Sequence, residues 1–168
     1  MSRTSLIRAA LALILAALCA WLVLFAVQGS EAAPGRTQTE QKAHEYADIT
    51  RAAKAETLAF LAVDYTKMDE LTQRVLSGAT GTFHTQYKSS LKSLKSAATS
   101  QKSVSKGSID EVGLSEVDSD SATVFVAASS KVKNTETKGK FQDRSWRIKL
   151  TMSKHGGDWL VSQLEFVS

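Results

Sequence analysis

The sequence predicts an α+β domain carried behind a single membrane-spanning helix, and three observations predict it. Ala9 to Val27 is a run of nineteen residues without charge, amide or hydroxyl. Between about residues 39 and 101 apolar residues recur at helical spacing, and from about 103 to 167 the period changes to two. Helices first and strands after them is the pattern of helices packed on one face of an antiparallel sheet. The expectation is about three helices on a sheet of about four strands.

The apolar run comes first. At 1.5 Å per residue it covers about 28 Å as a helix, near the roughly 30 Å hydrocarbon core of a bilayer. Only a helix satisfies its own backbone there. A cleaved signal peptide would share Arg3 and Arg8, and the small residues Ser30 and Ala32. Its core, however, runs about 7 to 15 residues. The greater length here, with Trp21 and Phe25 near the far end, favours a retained anchor. Cys19 follows bulky Leu18, which argues against lipoprotein processing. Arg3 and Arg8 precede the run, whereas Gly29, Ser30 and Glu31 follow it. Positive-inside bias therefore places residues 1–8 in the cytoplasm and the carboxy-terminal part outside, a single-pass plasma-membrane topology. Gly29, Ser30, Pro34 and Gly35 make residues 28–38 a linker, leaving 39–168 as the extracytoplasmic domain.

Composition excludes several functions. Residues 29–78 carry six Lys/Arg against eight Asp/Glu, and residues 79–168 carry thirteen against nine. No run of five basic residues and no aromatic–basic ladder accompanies that excess, so nucleic acid is not an expected partner. The lone cysteine, Cys19, lies in the span, so the domain has no disulfide or thiol chemistry and must be held by packing.

Thr37 or Thr39 is placed to cap the first helix, with Glu40 in its first turn. Tyr46, Ile49, Ala53, Phe60 and Leu61 fall near one stripe; Glu45, Asp48, Arg51, Lys54 and Glu56 fall mostly off it. Asp64-Tyr65-Thr66 interrupts the pattern. Thr66 and Asp69 read as a capping box for a short second helix, which Gly78 closes as a left-handed residue. From Thr80 or Thr82 a third helix carries Phe83, Tyr87, Leu91, Leu94 and Ala98 on one face, with Lys88, Lys92 and Lys95 on a ridge beside it. Four strands follow: Val104–Leu114 with an irregularity near Gly107, Ala122–Val132, a strand through Trp146, Ile148, Leu150 and Met152, and Trp159–Val167. The turns at 118–121, 134–140 and 155–158 are short, so neighbouring strands run antiparallel.

Residues suited to chemistry are sparse. His44 and Asp48 are an i,i+4 pair that would suit an oriented base, but a solvated helix pair is the simpler reading. His84 beside Phe83 and Tyr87 would line a cavity or face solvent; His155 lies in a turn. No two histidines have metal-ligand spacing. Asp64 beside Tyr65 would serve as acid and donor in a concave mouth, against the plainer reading of a turn residue with a core tyrosine. Gly78-Ala79-Thr80-Gly81 lacks the lysine of a phosphate loop, and no Gly-x-Ser-x-Gly elbow occurs. The lysine ridge suits anionic lipid headgroups or an acidic partner, or is simply a wet helix face. No catalytic, cofactor-binding or metal residues are assigned, and no enzyme is expected.

Several landmarks together resemble the Mce-associated membrane proteins of the actinobacterial cell envelope. They are the single amino-terminal span, Leu61-Ala62-Val63-Asp64-Tyr65 closing a long helix, Leu76-Ser77-Gly78, and Phe83 with Tyr87 and Lys88. Val112-Gly113-Leu114, Asp120-Ser121-Ala122-Thr123-Val124 and Gly157-Asp158-Trp159-Leu160-Val161 fit as well. The resemblance covers roughly residues 9–167 and rests on pattern rather than on reactive groups. It implies a cone-shaped fold like that of nuclear transport factor two, with helices against a curved antiparallel sheet. It also implies a non-enzymatic accessory role that stabilises Mce lipid or sterol importers. Two further readings share this architecture: a scaffold subunit of a type IV secretion-like assembly, and a lipid-binding cavity protein. Ala10, Ala16, Ala17 and Ala20 would let the span pack closely on other membrane helices.

Overall fold

The structure, a computed structural model, describes residues 34–167. The expected tail at 1–8 and span at 9–27 lie outside the described residues. Among those described, no helix is long and apolar enough to cross a membrane.

Three helices precede and flank a five-stranded antiparallel meander. Helix α1 (Pro34–Leu61) leads into a two-residue strand β1 (Val63–Asp64), then α2 (Met68–Gly78) and α3 (Gly81–Gln101). Strands β2 (Val104–Val117), β3 (Ser121–Lys133), β4 (Gln142–His155) and β5 (Asp158–Phe166) follow, in the spatial order β1-β2-β3-β4-β5. Helices on one face of an antiparallel sheet is the architecture the two periodicities called for, with one strand more.

The sheet core follows from alternation. Val124 and Val126 of β3 and Ile148, Leu150 and Met152 of β4 are all buried, while their neighbours in sequence are not. Strand β2 is less regular. Ile109 and Val112 are three apart, as are Leu114 and Val117, so strict alternation would turn half of them outward. Register shifts at Ile109/Glu111 and at Leu114/Glu116 correct this. They pair Ile109, Val112, Leu114 and Val117 with Ala128, Val126, Val124 and Ala122, so all four pack inward. The irregularity therefore lies after Gly107, which itself pairs in register with Ser130. Gly107 is small for another reason: a Cβ there would lie 2.8 Å from Leu61 Cβ.

Helices meet sheet through Ile49 and Ala53 of α1, Val75 of α2 and Phe83 of α3. The α2–α3 junction is tied down where Thr80 N–H donates to Val161 O at 2.8 Å. On the same β4–β5 hairpin Lys154 Nζ reaches Glu45 at 3.1 Å and lies 5.3 Å from the Trp159 ring centre.

Several local expectations are corrected. Helix α1 already includes Pro34, so residues 34–38 of the expected linker are helical; proline's fixed φ suits a first turn. Thr66 does not cap α2. Its hydroxyl and N–H both donate to Asp64 Oδ1, at 2.6 and 2.9 Å, and the helix starts at Met68 without a side-chain cap. Gly78 is the last residue of α2 and does not adopt positive φ; the chain leaves through Ala79 in extended conformation. Tyr46, expected on the packed stripe of α1, is exposed, and Glu56, expected off it, is buried.

Candidate functional site

An apolar concavity opens between the end of α1, the carboxy-terminal half of α3 and strands β2–β4, with a volume of about 490 Å³. Phe60 and Leu61 of α1, Leu94 and Ala98 of α3, Val132 of β3 and Trp146 of β4 supply most of its apolar wall. The absence of a side chain at Gly107 lets Leu61 approach the sheet. Trp146 is fixed by its indole N–H, which donates to the buried Ser130 hydroxyl at 2.9 Å, and by Phe166 at a ring separation of 5.5 Å. Phe60 contacts Phe166, Phe83 and Tyr87 at ring separations of 6.1, 6.0 and 6.3 Å, so the wall continues into the core.

Arg144 is the one charged residue lining this cavity. Its guanidinium donates to Gln142 Oε1 at 3.3 Å and pairs with no carboxylate among the described residues.

A second pocket, of about 390 Å³, shares Asn134 with the first. Tyr65, Lys102, Lys133 and Lys138 line it, and no acidic residue does. Two of these lysines stand in the left-handed region, Lys102 at φ 51° and Lys138 at φ 52°. Among the described residues they are the only non-glycine positions with positive φ. Lys102 ends α3, and Lys138 sits in the β3–β4 loop. That loop is anchored to the helix end: Thr135 N–H donates to Gln101 O at 2.9 Å, and the Thr135 hydroxyl donates to Gln101 Oε1. Within it, Thr137 N–H donates to Asn134 Oδ1 at 2.9 Å. Lys133 Nζ lies 4.9 Å from the Phe141 ring centre.

A third feature lies in the helical layer. Glu56 is 4% exposed, its Oε1 has no hydrogen-bond partner, and burial pushes its carboxyl pKa up to about 8. A Cβ on Gly78 would lie 2.0 Å from Glu56 Oε2, so the glycine vacates the space this carboxyl occupies. Tyr87 feels the same environment: burial, then the Glu56 charge, raise its hydroxyl pKa. Glu56 lines neither pocket above. It is a neutral acid held in packing at neutral pH.

The residues singled out from sequence are scattered. His44 and His155 are exposed, His84 is half-buried, and Asp48 pairs with Arg51 at 2.8 Å rather than with His44. Asp64 is held below the usual carboxylate range, chiefly by the Thr66 hydroxyl and N–H. Its neighbour Tyr65 is not a core residue but lines the lysine pocket. Of the lysine ridge, Lys95 pairs with Asp69 of α2, while Lys88 and Lys92 are exposed. No cluster of three His, Cys, Asp or Glu suited to a metal occurs among the described residues. Sequence reading passed over Arg144, Lys102, Lys133, Lys138 and Glu56. A helix end with neither glycine nor asparagine, followed by a basic loop, was the available signal for the lysines; for buried Glu56, the one signal was its place between apolar Ala53, Ala59 and Phe60.

Comparison with solved structures shows the same fold at low sequence identity. An IcmL-like type IV secretion system protein from Legionella pneumophila superposes with a TM-score of 0.59 at 13% identity, covering 72% of this chain and 91% of that one. CagV, a VirB8 homologue of the type IV secretion system of Helicobacter pylori, gives 0.58 at 9% identity, covering 72% and 97%. In sequence, the chain is 29% identical over 131 residues to the uncharacterized protein Rv1363c of Mycobacterium tuberculosis, covering 78% of this chain. It spans about half, 49%, of that relative's length. The match to the family model runs over residues 5–168, and the chain belongs to that family, the Uncharacterized protein Rv1363c/MT1408-like proteins.

Proposed function

We propose that the chain is a non-enzymatic, membrane-anchored accessory or assembly subunit that stabilises an Mce-type lipid or sterol import complex in the cell envelope. The reading is carried by one pairing: an apolar run of bilayer length followed by a domain whose open cavity is lined by apolar and cationic groups rather than by an acid and a base. The most strongly perturbed acid, Glu56, is enclosed in packing, which supports a structural rather than a catalytic role for it. The resemblance of the Leu61–Tyr65, Phe83–Lys88 and Gly157–Val161 segments to Mce-associated proteins supplies the partner. The anchor, amino terminus inward, holds the domain on the extracytoplasmic side. Deleting the gene lowers the steady-state level of Mce proteins and slows lipid uptake, and the full chain restores both. Unchanged levels and uptake would refute the reading.

The fold likeness to type IV secretion domains favours a second reading, a scaffold subunit in a secretion-like assembly. Loss of protein export with intact lipid uptake in the same deletion strain would select it.

A further inference from the structure

We propose that the 490 Å³ concavity is a binding site for a single-chain monocarboxylate, a fatty acid in its anionic form, with the chain on the apolar wall and the carboxylate on Arg144. The site stands apart from the assembly role and holds or fails whichever complex the domain serves.

Register and charge carry it together. Val63 pairs with Ser105, Ser105 with Val132, and Val132 with Gln142. Arg144 and Trp146 follow Gln142 at steps of two, so the strand residues of this wall share one face of the sheet. It is the face that the helices cover, because Ile148, Leu150 and Met152 continue the same alternation and are buried. Arg144 is therefore a cation at an inward position of β4, on the wall of an apolar concavity. No acidic residue lines that concavity. Among the described residues the only partner of the guanidinium is the neutral Gln142 Oε1, at 3.3 Å. That contact orients the group and leaves its other N–H donors for a carboxylate, which the planar fork binds through two parallel bonds. The facing helices bring Leu61, Met68, Leu94 and Ala97, which carry neither charge nor side-chain donor. Leu94 is 39% exposed, so apolar surface stands open beside the lone cation. An apolar wall ending in a single positive charge matches an amphiphile with a single negative one. A phosphate monoester would bring close to two charges, and an alcohol would leave the guanidinium uncompensated. The concavity lies toward the smaller end of the roughly 300–1,000 Å³ of small-molecule sites, which suits one chain rather than two.

The test is calorimetric titration of the full chain in a nonionic amphipol, with decanoate as probe below its micellar concentration and decanol as the uncharged control. Protein-free amphipol supplies the blank for partitioning. Saturable one-to-one binding of decanoate is expected, roughly tenfold or more tighter than decanol. Shortening the chain weakens binding roughly three- to fourfold per methylene removed. Arg144→Gln, at an exposed position that leaves the core intact, brings decanoate close to decanol and leaves decanol unchanged. Arg144→Lys restores only part of the difference, because an ammonium lacks the two-pronged fork. Ala97→Leu puts bulk into the concavity from an exposed helix position and weakens both ligands. Equal affinity for the acid and the alcohol, wild-type decanoate binding by Arg144→Gln, or no effect of Ala97→Leu on either ligand would each overturn the proposal. So would heats no greater than those of the protein-free blank.

Discussion

Glu56 offers the sharpest quantitative test of how the helical layer is held. Its carboxyl is buried without a partner for Oε1, and its pKa is raised from 4.5 to about 8 by desolvation. The folded state therefore binds this proton more tightly than the unfolded chain does. The stability associated with the protonated form is complete below about pH 4.5 and is lost progressively as pH rises to about 8, beyond which the curve is flat again. Each unit of pKa difference is worth about 1.4 kcal/mol, so between pH 5 and pH 9 the wild type loses about 4 kcal/mol from this one group. That is a large share of the roughly 5–15 kcal/mol by which domains are usually stable. Glu56→Gln replaces the titrating acid by a neutral group of the same shape. Its stability should not follow that slope: close to or somewhat below wild type at pH 5, because the amide brings unpaired donors, and clearly above it at pH 9. Urea unfolding of the full chain in detergent, followed by tryptophan fluorescence at pH 5, 7 and 9, measures the two curves directly. Parallel curves for wild type and Glu56→Gln would refute the assignment of Glu56 as a buried neutral acid.

Three further predictions probe packing by the same unfolding assay. Gly107→Ala should cost about 1–3 kcal/mol, because its Cβ would press on Leu61 Cβ, an atom with little room to move. Trp146→Phe keeps an aromatic ring near Phe166 but leaves the Ser130 hydroxyl buried without its donor. A loss of about 1–3 kcal/mol is expected, and most of it should vanish when Ser130→Ala is the background. Leu150→Ala, at a fully buried centre of β4, should cost about 2–5 kcal/mol; a loss below about 1 kcal/mol would mean that the helices do not cover this face.

The periodicities made much of the fold legible. The four, four, three, four spacing of Phe83, Tyr87, Leu91, Leu94 and Ala98 marks α3, and the alternation of Ile148, Leu150 and Met152 with polar neighbours marks β4. The two β2 bulges were also written in the sequence, as the odd spacings Ile109–Val112 and Leu114–Val117, although the irregularity was expected at Gly107. What escaped was set by contacts between distant segments. β1 is two residues long, and its pairing with Val104 and Ser105 leaves no local period to detect. Gly78 reads as a helix stop, yet its small size answers Glu56, twenty-two positions earlier. Glu56 itself sits among charged residues spaced like a wet helix face, and burial came from α2 and α3 closing over it. The candidate site was the least legible part. Positive φ at Lys102 and Lys138 has no sequence signature of the kind glycine or asparagine would give, and Arg144 merely continues the polar start of β4.

The central claim, a membrane-anchored subunit acting through partners, is tested most directly by capturing the intact chain from gently extracted membranes and quantifying what accompanies it. A control in which an unrelated apolar helix replaces residues 9–27 runs beside it. The account predicts stoichiometric recovery of Mce importer subunits with the native chain and reduced recovery with the exchanged span. Recovery of the chain free of envelope transport or secretion components, at levels no different from a mock capture, would contradict it.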